Sequence, residues 1–507
     1  MNPLPRLRPA ALLAGLSLFA HASAAQTTFD WTGSTDSTWG TAANWDPATG
    51  APPGSTATDI ARFNDDVANS TVNLDTTATI SRLEFASGAG EYNLTGERLV
   101  ISSSSGPDYI VHNAGNTQTI SAELELASSG TFRDINVGAG GTLVIAQRLI
   151  FSPTGGQLRF AGGGTLDLAD SFSGLNVFTA SGSGTTVNLR RISGSSGANR
   201  LSATNGATIN LYGNHGGDMT LSGANSTISI RYDGVVAGSV GTNSVNVAPT
   251  AGNTVTFSAD IDGGGTGSFG RQLRLFQAGT VNDATIRFHA TSGSVLNVTG
   301  TIVDTNAAGA GSKVEITGAG VVRYSGSSAN TTVTPILISD GTLELAKDSG
   351  VNAIAGGNVT IEENGTLRLA ASHQIADATD LVFAGGLFDV GANTETLGAL
   401  AVGAEGGSID FGGLAGSITF DSLSSIVGTL TINGWTEAAT ISFSDGSGWD
   451  SETLANVIFT GYGPAVFDAL SGELYASAAI PEPASASFII AIAGIATACS
   501  RRRRAAA

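Results

Sequence analysis

Residues 341–345 read Gly341-Thr342-Leu343-Glu344-Leu345, and residues 365–369 read Gly365-Thr366-Leu367-Arg368-Leu369. Apolar and polar residues alternate with period two. In an extended strand Leu343 and Leu345 therefore share one face and Glu344 takes the other. The leading glycine supplies a turn. The same pattern recurs at 141–145 (GTLVI), 164–168 (GTLDL), 184–189 (GTTVNL), 206–211 (GATINL) and 428–432 (GTLTI), with neighbouring copies 20–24 residues apart. That period is too long for a hairpin and too regular for a loop. It suits one coil of a parallel β-solenoid, in which equivalent strands stack about 4.8 Å apart.

A second pattern reads as another strand and corner of the same coil. Asn116-Thr117-Gln118-Thr119-Ile120-Ser121-Ala122-Glu123-Leu124 resembles Asn393-Thr394-Glu395-Thr396-Leu397-Gly398-Ala399-Leu400, with Thr77-Ala78-Thr79-Ile80-Ser81-Arg82-Leu83 as a looser case. Length points the same way. Single cores stop growing at roughly 250–300 residues, whereas a solenoid packs each repeat only on its neighbours. The chain has 507 residues, 69 of them glycine, with 13% charged and 7% aromatic. Plentiful Gly, Ser, Thr, Asn and Val are the vocabulary of short strands and turns.

The formal net charge is −19. Without residues 1–25 and 481–507, 17 basic and 41 acidic groups remain, a net of −24. Such a surface repels phosphate backbones, so a nucleic-acid partner is excluded. The acidity serves solubility or divalent-cation binding along the surface. Cys499 is the one cysteine, so no intramolecular disulfide forms.

Both ends carry processing patterns. Residues 1–25 have a basic start (Arg6, Arg8), an apolar stretch from Ala10 to Ala20 and small residues before a cut after Ala24 or Ala25. This is the layout of a secretory signal peptide; an uncleaved anchor would need a longer apolar run. At the other end Ala484 to Ser500 are uncharged. As a helix they would span about 25 Å, near the ~30 Å bilayer core. Arg501, Arg502, Arg503 and Arg504 follow and would stay on the cytoplasmic side. The alternative, a helix buried in a soluble domain, fits poorly beside four arginines. Pro481 and Pro483 stop the helix upstream.

Pro481-Glu482-Pro483, an apolar helix and a terminal basic cluster together resemble the PEP-CTERM sorting signal of Gram-negative bacteria. Ile480 stands where valine is common in that family. The resemblance implies recognition by an exosortase-type sorting enzyme, cleavage near Pro481–Pro483, and release to the cell surface or extracellular polysaccharide. Residues 318–345 resemble the autotransporter-associated β-strand repeat, clearly over about 315–370 and diffusely over 70–430. That family implies a right-handed β-helix of passenger type. The membrane β-barrel that closes autotransporters has no counterpart in the sequence pattern.

The expected fold is thus all-β, a right-handed parallel β-solenoid with terminal caps and one C-terminal transmembrane helix. Its parts are a signal peptide (1–25), a Trp-rich cap (26–70), solenoid repeats (71–430), a second cap (431–479) and the sorting signal (480–507, with the helix at 484–500 and the basic tail at 501–504). Trp31, Trp39 and Trp45 either cover the solenoid's open end or form a sugar-stacking platform. Trp435, Trp449, Phe459 and Tyr462 are candidates to close the far end.

Catalytic signals are sparse. His112, His215, His289 and His373 lie at least 74 residues apart. No nucleophile elbow, P-loop or zinc signature is present. Asp260-Ile261-Asp262 would point two carboxylates to one side of a strand, and Asp445 and Asp450 flank a glycine-rich loop. Either pair could hold Ca²⁺ weakly, but neither has EF-hand spacing; solvated turn carboxylates are the plainer reading. Triplets such as Asn93-Leu94-Thr95 and Asn364-Gly365-Thr366 follow from composition alone. No catalytic residue or cofactor is expected. The expected role is a surface-sorted structural or adhesive protein associated with extracellular polysaccharide. The rivals are a polysaccharide lyase or hydrolase on the same scaffold and a glycan-binding module.

Overall fold

The computed structural model describes residues 26–477, apart from 104–107, 128–131, 192–199, 214–217, 233 and 237–243. The chain is all-β and coils into a solenoid of about 16 turns. One stack of parallel strands starts at Thr28–Trp31, passes through Ile60–Phe63 and Arg82–Phe85, and ends at Ile302–Asp304. A second runs from Thr71–Leu74 through the long strand Ser417–Ile426 to Thr440–Phe443. A third, of five strands, spans Ala78–Ile80 to Phe172–Ser173. A further column opens at Gly234–Val236 and runs to Val457–Phe459.

Alternation decides which side chains enter the core. Leu143, Leu166, Val187, Ile209 and Ile228 stack in register inside, and all are fully buried. One position earlier, Thr142, Thr165, Thr186, Thr208 and Thr227 form the outward ladder of the same rungs. Slipping any rung by one residue would exchange the two sets, so the core fixes the register.

The repeats quoted above occupy two columns. The copies at 141–211 lie in the second stack, whereas those at 341, 365 and 428 lie in the column that ends at Val457–Phe459. In the strands Ile336–Lys347 and Val359–Leu369 the glycine sits at a corner within one continuous strand. Gly341 has φ +70°, and a Cβ there would lie 1.8 Å from the Gly318 carbonyl oxygen. A Cβ on Gly365 would lie 2.2 Å from that of Ile338.

The second sequence pattern is corrected in part. Thr117–Ile120 stacks directly on Thr142–Ile145, so it is an earlier rung of that ladder, not a separate strand of the coil. Thr394–Leu397 pairs with Ser417–Phe420, and Ala78–Ile80 belongs to the five-stranded sheet.

Both ends of the described solenoid turn antiparallel. Trp45–Asp46 pairs antiparallel with Thr28–Trp31. At the far end, Ala465–Asp468 and Glu473–Ala476 form an antiparallel hairpin beside the short helix Ser451–Ala455. Antiparallel end strands interrupt the parallel template that would otherwise recruit another chain.

Candidate functional site

Most described arginines on the solenoid wall pair with a carboxylate one coil away. Alternation places Arg323, Glu344, Arg368 and Asp389 in one outward register. Arg323 Nε lies 2.5 Å from Glu344 Oε1, and Arg368 reaches Glu344 at 3.7 Å and Asp389 at 2.9 Å. Arg287–Glu315 (2.7 Å) and Arg190–Asp167 (2.8 Å) repeat this one-coil step. Arg133, Arg271 and Lys347 are buried instead. Arg133 Nη2 donates to the Ser152 carbonyl at 3.1 Å, and Lys347 Nζ to that of Ser325 at 3.0 Å.

That compensation stops at one place. From Leu369 to Ser477 the chain has no Lys or Arg but thirteen Asp and Glu. Arg368 reaches only Asp389 among them. Two cavities in this acidic end are lined by carboxylates. The first, about 420 Å³, gathers Asp377, Asp380 and Asp421 with Thr396, Ser422 and Ser444 from successive coils. Asp380 Oδ1 accepts the Ala399 N–H at 2.8 Å, which fixes that carboxylate at the corner.

The second cavity, about 390 Å³, lies against the terminal hairpin. Trp435, Tyr462 and Tyr475 form an aromatic wall, and Glu437, Asp468 and Glu473 supply carboxylates. Trp435 meets Tyr462 edge-on at 5.0 Å and Phe459 at 5.2 Å. It is only 7% exposed, and its Nε1–H has no hydrogen-bond partner among the described residues. The Leu470 N–H bonds Asp468 and holds it below the usual carboxylate range.

Between the ladders and the acidic end runs a buried polar file. Lys347 N–H donates to Gln374 Oε1 at 2.8 Å, and Gln374 N–H donates to Glu395 Oε2 at 2.7 Å. All three residues are buried. Burial pushes Lys347 down to about 8. It pushes Glu395 up to about 7, with backbone N–H bonds opposing and the Asp377 charge adding.

The residues singled out in the sequence are placed as follows. Trp31, Trp39 and Trp45 are buried edge-to-face, with ring centroids 4.9 and 4.7 Å apart, and pack on Phe63. Their indole N–H groups donate to the carbonyls of Asn69, Pro53 and Trp39. No ring face is open to a sugar, so the platform reading is overturned. Trp449 stacks on Phe467 at 5.3 Å. Asp260 and Asp262 do not share a strand face. The strand ends at Ala259, and Gly264 N–H bonds the Ile261 carbonyl to close a turn. Asp260 pairs with Arg231, and Asp262 is exposed.

Asp445 accepts Ser447 N–H at 2.9 Å, whereas Asp450 caps the helix Ser451–Ala455 through Glu452 and Thr453 N–H. These backbone bonds hold both carboxyls below their usual range. Among the described residues no three His, Cys, Asp or Glu side chains are grouped to hold a metal ion. Burial holds His112 and His289 below the ordinary histidine range. His215, Ala24, Ala25, Pro481, Glu482, Pro483, the span 484–500 and Arg501 to Arg504 lie outside the described residues. Among the described residues, no helix is long and apolar enough to cross a membrane.

Sequence reading missed both cavities and the Lys347–Gln374–Glu395 file. The absence of Lys and Arg between Leu369 and Ser477 was the available signal. Comparison with known families, curated proteins and solved structures finds no match to this chain.

Proposed function

We propose that this chain is an exported, surface-sorted structural or adhesive solenoid of the cell envelope or extracellular polysaccharide matrix. The carrying observation is the wall itself: a long parallel stack in which most described arginines pair from coil to coil, followed by an acidic stretch without Lys or Arg. Such a rod presents repeated Thr ladders and one charged terminus.

The two sequence signals supply the route. In this reading residues 1–25 direct export and are cut after Ala24 or Ala25. The segment 484–500 holds the chain in the membrane as a helix, with Arg501 to Arg504 inside. An exosortase-type enzyme then cuts near Pro481-Glu482-Pro483. The coil is right-handed, as the passenger-type resemblance and the general handedness of parallel crossovers imply.

Terminal peptide mapping of the protein recovered from the cells that make it tests the route. A C-terminus at 480–483 in the extracellular fraction supports it. An intact Ala507 confined to the membrane fraction overturns sorting and leaves a permanent anchor.

One observation favours a second reading. Asp377, Asp380 and Asp421 share one cavity, and glycoside hydrolysis needs two paired carboxyls. Incubating the protein with a polysaccharide panel separates the two. Product release that Asp377→Asn or Asp421→Asn abolishes would establish a hydrolase; no release from any polymer favours the structural role.

A further inference from the structure

We propose that the cavity formed by Trp435, Tyr462, Tyr475, Glu437, Asp468 and Glu473 is a binding site for a cationic amino sugar, one residue of a polysaccharide that carries free ammonium groups. The inference rests on the matrix role proposed above and names the polymer class this end would hold.

The cavity's two kinds of wall demand two properties of one ligand. The partly exposed Tyr462 and Tyr475, backed by the buried Trp435, can take the apolar C–H face of a pyranose ring and attract a cation through their quadrupoles. Carboxylates take charge-assisted hydrogen bonds from an ammonium group. A neutral sugar would satisfy only the aromatic wall. An acidic sugar would be repelled, because no Lys or Arg lies between Leu369 and Ser477 to receive its carboxylate. A divalent ion fits poorly, since the described residues offer no three-ligand group of His, Cys, Asp or Glu.

Independent of the acids, the Trp435 Nε1–H is buried without a partner among the described residues. Buried donors are normally satisfied, and a sugar hydroxyl would reach this one only by displacing the packing that seals it. Trp435 lines the cavity with Tyr462, whose ring it meets edge-on. The cavity's volume of about 390 Å³ falls within the roughly 300–1,000 Å³ of small-molecule sites. Ser477, the last described residue, lines the cavity.

The test uses the full chain in detergent, titrated with a glucosamine tetramer and with its fully N-acetylated counterpart at pH 6. Calorimetry and tryptophan fluorescence report binding. The glucosamine tetramer is expected to bind at least tenfold more tightly than the acetylated one and to weaken with added salt. Glu437→Gln and Glu473→Gln should each cost several-fold in affinity, and Trp435→Phe should remove the fluorescence response. Glu437 is exposed, so its variant keeps the test valid if Trp435→Phe fails to fold. Equal binding of the two sugars, affinity unchanged in Glu437→Gln, or a lysine tetramer binding as tightly as the glucosamine tetramer would each overturn the proposal. None of these outcomes bears on tail processing, which peptide mapping reads separately.

Discussion

At the residue scale, Gln118 and Glu395 do one job with different chemistry. Gln118 Oε1 accepts Tyr92 N–H at 3.0 Å, and Glu395 Oε2 accepts Gln374 N–H at 2.7 Å. The preceding Asn116 and Asn393 each donate Nδ2–H to a carbonyl one coil back, both at 2.8 Å. The amide of Gln118 also donates, to Gly90 O and Asn116 Oδ1. An ionised Glu395 can only accept, and burial moves its pKa from 4.5 to about 7. Because that pKa is raised, the folded state holds the proton more tightly than the unfolded chain. The contribution is therefore complete below pH 4.5 and lost as pH climbs through 7. The shift corresponds to roughly 3 kcal/mol between the two limits. Glu395→Gln should abolish this slope and leave the variant more stable than the native chain at pH 8, with little difference at pH 4.5. Thermal unfolding across pH 4.5–8 checks it, and a retained slope in the variant would assign the effect elsewhere. Lys347, lowered to about 8, has the opposite sign in a higher window: stability rises between pH 8 and 10.5 as the unfolded chain gives up its extra proton.

At the scale of one rung, the quoted pentapeptide contains nearly everything its coil needs, and the period-two alternation made the rung legible. Leu343 and Leu345 are buried, Glu344 bridges Arg323 and Arg368, and Gly341 turns the corner. What the pattern could not tell was the column, because every face of the coil asks for the same inward–outward alternation. Copies at 141 and 341 therefore look alike in sequence and stack in different places. Asp260-Ile261-Asp262 failed for a related reason: alternation was carried one step past Ala259, where the backbone already turns. Two glycines separate the turn's conformational demand from its crowding. Gly341 (φ +70°) has a carbonyl 1.8 Å from its ideal Cβ, whereas Gly350 (φ +80°) has nothing within 4 Å. Gly350→Ala should cost only the left-handed penalty, about 1–2 kcal/mol. Gly341→Ala should exceed it by about 2 kcal/mol or more, since backbone rather than a pliable side chain must move. Urea unfolding of the two variants measures the difference; equal costs would mean the corner relaxes freely. Arg368→Ala should cost under about 1 kcal/mol, because Arg368 is 41% exposed and its pairs are surface pairs.

At the scale of the whole molecule, charge divides the solenoid into two regimes that a net figure of −19 conceals. The alternating Arg–Glu–Arg–Asp file makes residues 287–368 gain from electrostatics. The stretch 369–477, all carboxylates and no Lys or Arg, works against itself. Salt should therefore act in opposite directions along one rod. Raising ionic strength from 20 to 500 mM shortens the Debye length from roughly 20 Å to about 4 Å. That weakens the attractive ladder and relieves like-charge repulsion at the acidic end. The effects remain local because a solenoid's stability is close to a sum of coil and nearest-neighbour contributions, so one end can open without the other. Amide hydrogen exchange, read peptide by peptide at the two salt concentrations, should show slower exchange over 369–477. Over 287–368 it should show unchanged or faster exchange. A shift of the same sign along the whole chain would mean that the coils unfold as one unit, and the electrostatic division would then have no energetic boundary at Arg368. Opposite signs would make the acidic end a separately tunable element, stiffened by any cation that settles there. An amino-sugar polymer bound against Trp435 would be expected to reproduce the effect of salt on 369–477 while leaving the ladder region untouched.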